Sequence, residues 1–338
     1  MRYLIVGLGS MGKRRIRCLQ ALGCSDLAGF DTRSDRRSEA EGKYAIPTFA
    51  DFDQAMSTAR PDALIISVPP DIHHIYMKAA IRHQLHFFVE ASVVDTDMVE
   101  ITAALVNKNL VAAPSATLLF HPAIRTISEI VRSGRLGKIS NIMLHSGQYL
   151  PDWHTYEHVS DYYVSKQATG GGREIVPFEL TWLTSLFGFP QRVCGNYRKT
   201  IDIPGASSIA DTYNCLLDYG HFLATMTVDV VSRHATRRLL LNGDQRQLVW
   251  DWDNKFVSLF DPGLSVWEEL PYEMKGAEAG YNPNIGENMY IDEIRNFIEA
   301  LEGKKPFINT MANDHRVLQL LYAIERSDTS SAFVKVTQ

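Results

Sequence analysis

The chain has 338 residues, 45% of them hydrophobic and 22% charged, enough apolar material for one large core or two of ordinary size, which excludes wholesale disorder. With 34 basic against 39 acidic side chains the net charge is −5, and no basic run is long enough to neutralise a nucleic-acid backbone. The longest apolar runs, such as Ala63–Val68, are strand-sized and far short of the roughly 20 residues a membrane span takes.

The apolar, β-branched run 3–6 stops at Gly7, as a buried parallel strand does. Ile16, Leu19 and Leu22 then recur at helical spacing, and Gly23 ends that helix. Residues 27–30 form a second strand ending at Asp31, and the charged stretch 32–41 reads as loop or polar helix. Strand 63–68, helix 74–82, strand 86–89, helix 96–107 and strand 110–113 continue the alternation, which is the pattern of a doubly wound parallel sheet.

The pattern changes near residue 120. A helix over 124–132, a strand over 139–144 and a helix over 174–187 lead into strands at 212–217, 222–231, 238–241 and 247–252, joined by short polar turns. Residues 272–288 read as a loop, and helices over 289–301 and 314–324 close the chain. The expected architecture is an α/β domain over residues 1–120, followed by an α+β domain over 121–338 with an open, mostly antiparallel sheet. Phe222, Met226, Val228 and Val230 alternate along one strand, and their face is expected to be buried against a second copy of the chain.

Gly7-Leu8-Gly9-Ser10-Met11-Gly12 is a G-x-G-x-x-G that follows a strand and opens a helix. The first glycine permits the tight turn, the second lets a pyrophosphate approach the backbone, and the third lets helix and strand pack closely. The phosphates then meet unpaired N–H groups at the positive end of the helix dipole. Asp31 stands where an acid meets the adenosine ribose, so the fingerprint reads as a Rossmann dinucleotide site rather than a bare glycine turn. An acid there favours NAD by accepting from a free 2′-hydroxyl. Arg33, Arg36 and Arg37 either offset that preference, leaving NADP open, or form a solvated basic face.

These residues resemble the Gfo/Idh/MocA family of NAD(P)-dependent oxidoreductases over nearly the whole chain. The resemblance is carried by Ser67-Val-Pro-Pro-Asp-Ile-His73, Val89-Glu90, Phe120-His-Pro122, Ser133-Gly-Arg-Leu-Gly-Lys-Ile139, Gly170-Gly-Gly172 before a helix ending Leu186-Phe-Gly188, and Phe297-Ile-Glu-Ala-Leu301. It implies contacts of Val68, Pro69, His73 and Glu90 with the cofactor, dimers or tetramers formed through the second domain's sheet, and hydride transfer to or from sugars, cyclitols or sugar derivatives, some nucleotide-linked.

The departures are specific. The family's Glu-Lys-Pro, whose lysine is a principal catalytic group, is here Glu90-Ala91-Ser92, and the helix after the triple glycine lacks the family's Asp and His. Alcohol oxidation still needs a base for the hydroxyl proton. The richest supply of ionisable and aromatic groups is the stretch 151–166. His154 and Lys166, with Glu174 on the following helix, are the expected acid/base groups, and Trp153, Tyr156, His158, Arg173 and Glu179 the expected substrate contacts. Surface histidines without a function and a structural Glu174 are the alternatives. His154 and His158 stand at i, i+4, but no third ligand follows at usable spacing, so no metal is expected. The chain reads as an NAD-dependent oxidoreductase; the alternatives are a dinucleotide-binding sensor or partner subunit without turnover, and a redox-neutral NAD enzyme. Cys18, Cys24, Cys194 and Cys215 form no CxxC pair, which with the absence of a leader pattern points to reduced thiols and the cytoplasm.

Overall fold

The structure is a computed structural model and describes residues 1–154, 157–274, 276 and 285–336. The chain divides into two compact units, the first made of Met1–Thr117 and Asn288–Arg316, the second of Leu118–Glu287 and Val317–Gln338. Residues 288–316 thus fall in the first unit, whereas the sequence pattern places a single boundary at residue 120. The reason is packing: Phe297 and Phe307 meet Phe88 edge-on, at 5.9 and 6.2 Å between ring centres.

The first unit contains β1 (Tyr3–Val6), α1 (Ser10–Ala21), β2 (Leu27–Phe30), α2 (Ser34–Tyr44), β3 (Thr48–Phe49), α3 (Phe52–Ala59), β4 (Ala63–Ile66), α4 (His73–Arg82), β5 (His86–Val89), α5 (Met98–Leu105) and β6 (Ala112–Pro114). Its six strands are parallel in the order β3-β2-β1-β4-β5-β6. Every residue of β1, β2 and β4 is buried, as the unbroken apolar runs require of strands covered on both faces. The strand order reverses between β1 and β4, so the crevice for a ligand opens beyond their carboxyl ends, at Gly7–Gly9 and Ser67–Pro69. The charged stretch after Asp31, left open between loop and helix, is helix α2.

The second unit begins with α6 (Pro122–Arg132), β7 (Ile139–Gly147) and α7 (Gly172–Phe187). Strands β8 (Arg192–Arg198), β9 (Thr212–Asp218), β10 (Leu223–Asp229), β11 (Thr236–Gly243), β12 (Gln247–Asp251), β13 (Phe256–Asp261) and β14 (Val266–Pro271) follow. Helix α8 (Glu287–Leu301) returns to the first unit, α9 (Met311–Ser330) starts there, and β15 (Val334–Lys335) closes the second sheet. That sheet has nine strands in the order β14-β13-β12-β11-β7-β10-β9-β8-β15, antiparallel except for β7 with β10. The stretch 272–288, read as a loop, lies mostly outside the described residues.

The face expected to await a second copy is instead covered by the chain itself. Met226 and Val228 are buried in one core with Ile124, Ile127, Leu180, Leu321 and Ile324 of α6, α7 and α9, Phe222 belongs to the same core, and Val230 packs with Leu150, Val159 and Val164. The opposite face carries an in-register row of Leu216, Thr225, Met143, Leu240 and Val249 across five strands. Met143 and Leu216 are 54% and 48% exposed, and Leu223, two residues before Thr225 on β10, is 60% exposed, so apolar side chains are left uncovered on this face.

Candidate active site

In the first unit the glycines are fixed by what surrounds them. Gly7 has φ +93°, and a Cβ there would stand 2.6 Å from the Ser67 carbonyl oxygen; at Gly12 a Cβ would stand 1.8 Å from the Gly7 oxygen. Gly9 caps α1 without a side chain, so the N–H groups behind it, from Ser10 and Met11 onward, open the helix toward the crevice. At the end of β2 the buried Asp31 accepts from the Leu8 N–H at 2.8 Å through Oδ2 and from the Arg33 N–H at 2.9 Å through Oδ1. The carboxylate is thereby held beside the glycine loop. This cradle fits a dinucleotide: a backbone turn that only glycine can make, an open helix start and an acid at the ribose position.

Beyond β4, His73 is buried and its Nε2 donates to the Val68 carbonyl at 2.9 Å, which ties the start of α4 to the Val68-Pro69 turn. Burial pushes the His73 imidazole down to about 4, so the ring is neutral near pH 7. Glu90 is held differently from the expectation of a cofactor contact. Its carboxylate accepts both Nε and Nη2 of Arg15 at 2.7 Å and the Ser67 hydroxyl at 3.0 Å. The fully buried Arg15 also reaches Glu293 of α8 at 2.8 Å, and Glu293 in turn accepts from Ser115, Ala116 and Thr117. Glu90 is therefore part of a buried ion network inside this unit. Arg33 is likewise committed, to Asp35 at 2.7 Å on the surface.

Next to Ala91, the buried Ser92 neighbours Asp314 of α9, whose carboxyl is pushed up to about 7 by burial, the Ser92 hydroxyl opposing. Sequence reasoning missed Asp314; nothing in Asn313-Asp314-His315 marks it, because its environment comes from a segment more than 200 positions earlier.

In the second unit, Tyr163 on the loop before α7 donates to Glu174 Oε1 at 2.6 Å. Glu174 is partly exposed as a residue, yet its Oε2 has no accessible surface and no hydrogen-bond partner among the described residues. Burial pushes this carboxyl up to about 7, the Tyr163 hydroxyl opposing. Tyr162 stands edge-on to Tyr163 at 6.0 Å, and His154 stacks on Tyr162 at 4.8 Å with its Nδ1 3.8 Å from Glu157. His154 and Glu174 are thus brought together through two tyrosines that the sequence reading did not single out.

The remaining expected groups are placed otherwise. Lys166 is exposed and enters this region through its backbone, which donates to the Tyr163 carbonyl at 3.1 Å. His158 is exposed and caps a short turn by accepting from the Ser160 N–H. Trp153 packs on the cluster around Val159, and Tyr156 lies outside the described residues. Two of the expected substrate contacts, Arg173 and Glu179, hold partners within the second unit. Arg173 spends its guanidinium on Glu325, at 2.6 and 3.2 Å, and on the Ala168 carbonyl. Glu179, fully buried, is paired with Arg237 at 2.7 Å and accepts from the Trp182 indole at 2.7 Å. Both charges are thus paired within the second unit. Among the described residues no cluster of three His, Cys, Asp or Glu side chains is arranged to hold a metal ion.

Comparison with known proteins then decides the family. Residues 1–111 match the model described as the oxidoreductase family, NAD-binding Rossmann fold, and residues 124–249 match the Gfo/Idh/MocA C-terminal domain. The chain belongs to the Gfo/Idh/MocA oxidoreductases. Its dinucleotide is accordingly NAD, which the Gly7–Gly12 cradle and Asp31 accommodate. Among solved structures, levoglucosan dehydrogenase in complex with NADH and levoglucosan superposes with a TM-score of 0.86 at 14% identity, covering 100% of both chains. The WlbA dehydrogenase from Bordetella pertussis in complex with NADH and UDP-GlcNAcA gives 0.80 at 15% identity, covering 100% of this chain and 99% of that one. An oxidoreductase from Agrobacterium radiobacter in complex with NAD+, L-tartaric acid and magnesium gives 0.84 at 11%, covering 99% and 98%. At these identities the likeness is one of fold. No curated protein sequence matches the chain. No helix among the described residues is long and apolar enough to cross a membrane.

Proposed function

We propose that this Gfo/Idh/MocA member transfers a hydride between NAD and a sugar, a cyclitol or a sugar derivative, nucleotide-linked sugars included, as a cytoplasmic enzyme. The observation that carries the reading is the glycine cradle, where a side chain on Gly7 or Gly12 would strike backbone, set beside the Asp31 carboxylate. The substrate class is supported by the sugar and UDP-sugar ligands of the levoglucosan and WlbA dehydrogenases. NAD, when bound, supplies the hydride acceptor or donor.

The protein's own task is then the hydroxyl proton, which Ala91 cannot carry. We assign that task to the Tyr163–Glu174 pair, a phenol hydroxyl hydrogen-bonded to Oε1 of a carboxyl that titrates close to neutral pH. His154 supports this pair through Tyr162, while Trp153, Tyr156, His158 and Lys166 supply contacts to substrate from the same loop. The sheet face bearing Met143 and Leu216 is where two copies would join as a dimer or a larger assembly.

The test is a panel of sugars, cyclitols, sugar acids and UDP-sugars assayed for NADH formation. Turnover with one class, lost by on the order of 10²–10⁴ in Glu174→Gln with NADH binding intact, supports the assignment. NADH binding without turnover on any of them favours the second reading, a dinucleotide-binding sensor or partner subunit, for which the absence of a lysine at Ala91 speaks.

A further inference from the structure

Glu174 stands in the first turn of α7, and the tyrosine that holds it lies 11 positions earlier, in the short turn Tyr163–Ser165. The chain between them is folded back on that turn by Thr169-Gly170-Gly171. Thr169 has no exposed surface, and its Oγ1 donates to the Tyr163 carbonyl at 2.8 Å, beside the Lys166 N–H that donates to the same oxygen. The N–H groups of Thr169 and Gly170 return to the Lys166 carbonyl at 3.2 and 2.9 Å, and that of Gly171 to the Val164 carbonyl at 3.1 Å. A Cβ on Gly170 would stand 1.8 Å from the Val164 carbonyl oxygen, so this close approach requires a residue without a side chain.

The Thr169 hydroxyl thus bonds the main chain of the residue whose phenol meets the carboxyl. A displacement of the Tyr163 backbone carries the phenol oxygen with it, and a hydrogen bond of 2.6 Å survives little displacement before its length and angle fail. We infer that Thr169 and Gly170 are positioning residues: they fix the Tyr163 backbone, and through it the phenol hydroxyl, against the Glu174 carboxyl. The inference rests on the Tyr163–Glu174 reading above and adds the residues that assemble the pair.

The test reads the carboxyl itself and needs no substrate. Among the described residues Tyr163 is the titratable side chain bonded to Glu174, and its hydroxyl opposes the upward push of burial. Loosening that bond should therefore raise the Glu174 titration midpoint, followed by NMR of isotope-labelled glutamate carboxyls in the full chain and assigned with Glu174→Gln. Tyr163→Phe, which removes the phenol hydroxyl, sets the full size of the rise. Thr169→Val, which keeps the side-chain shape without the hydroxyl, and Gly170→Ala should each raise the midpoint by about half a unit or more, whereas Thr169→Ser should leave it near the wild-type value. With a substrate from the panel, Thr169→Val should lower kcat by about tenfold with KM changed by less than about threefold, and Thr169→Ser should restore it. A Thr169→Val chain that melts at a lower temperature but titrates at the wild-type midpoint would make Thr169 a structural residue and overturn the inference. So would a Tyr163→Phe chain with an unmoved midpoint. Full turnover in Glu174→Gln would instead remove the proton-transfer reading, while the midpoints still decide whether Thr169 and Gly170 position the pair.

Discussion

Tyr163 holds one oxygen of Glu174 at 2.6 Å while the other oxygen, sealed from solvent, has no hydrogen-bond partner among the described residues. A carboxyl in such a place is stabilised as the neutral acid, because burial penalises the charge more than one phenol hydrogen bond repays it.

That arrangement fixes a pH dependence. The Glu174 carboxyl is raised from 4.5 to about 7 in the folded chain, so its contribution to stability is fully present below about pH 4.5 and is lost as pH rises through 7. Asp314, raised from 3.8 to about 7, acts in the same direction. The urea midpoint should therefore fall between about pH 5 and pH 8. Glu174→Gln, which mimics the neutral acid, should match wild type at low pH and exceed it at about pH 8 by up to ~3 kcal/mol. A variant less stable than wild type at that pH would show that Glu174 is held as a carboxylate.

Arg15 is a second point of leverage. Its guanidinium, with no exposed surface, neutralises Glu90 and Glu293 together. Arg15→Met keeps most of the volume but leaves two carboxylates without their cation, which should cost about 3–5 kcal/mol in urea denaturation. Adding Glu90→Gln and Glu293→Gln should recover a large part of that loss; no recovery would mean that Arg15 acts by packing on Phe88 and Tyr290 rather than by charge.

The open sheet face gives a prediction about assembly. Met143 pairs with Leu240 and Thr225 in register, and Leu216 stands one strand further on. Met143→Lys or Leu216→Lys should shift light scattering toward the monomer at micromolar concentration without lowering the melting temperature by more than a few degrees, since neither side chain is buried in the chain itself. A wild-type chain that is already monomeric would end the idea.

The sequence disclosed those parts of the fold whose signal is local. Val6, Gly7 and Gly12 announce the first strand and its turn because the apolar run and the glycine spacing are adjacent in the chain. The two-residue strand Thr48–Phe49 and the mostly exposed Val266–Pro271 carry no such run and were missed. Alternation along β10 revealed two faces but not which face the chain's own helices cover, so Met226 and Val228 were given to a partner that they do not need. In the site, Arg173 and Glu179 looked available only because their partners, Glu325 and Arg237, lie 152 and 58 positions away. Tyr163 belongs to no motif, and its value comes from the carboxyl it meets.

The glycine fingerprint allows fold and binding to be separated. At Gly12 an added Cβ would stand 1.8 Å from the Gly7 backbone oxygen, and neither atom sits at the end of a flexible side chain. Gly12→Ala must therefore push α1 away from β1, and it should lower the melting temperature as well as abolish NADH binding. Gly9 is different. Its φ of −70° and ψ of −164° suit alanine, and the nearest atom to an added Cβ is the Arg36 guanidinium at 3.3 Å, which can swing aside. Gly9→Ala should leave the melting temperature of the ligand-free chain within a few degrees of wild type. The methyl group would still stand where the pyrophosphate approaches the backbone, so the NADH Kd should rise by about tenfold or more. Thermal melts of both variants with and without NADH distinguish the two effects, because at one ligand concentration NADH should stabilise Gly9→Ala less than the wild-type chain and Gly12→Ala not at all. Equal NADH stabilisation of Gly9→Ala and wild type would mean that the dinucleotide does not cross this loop.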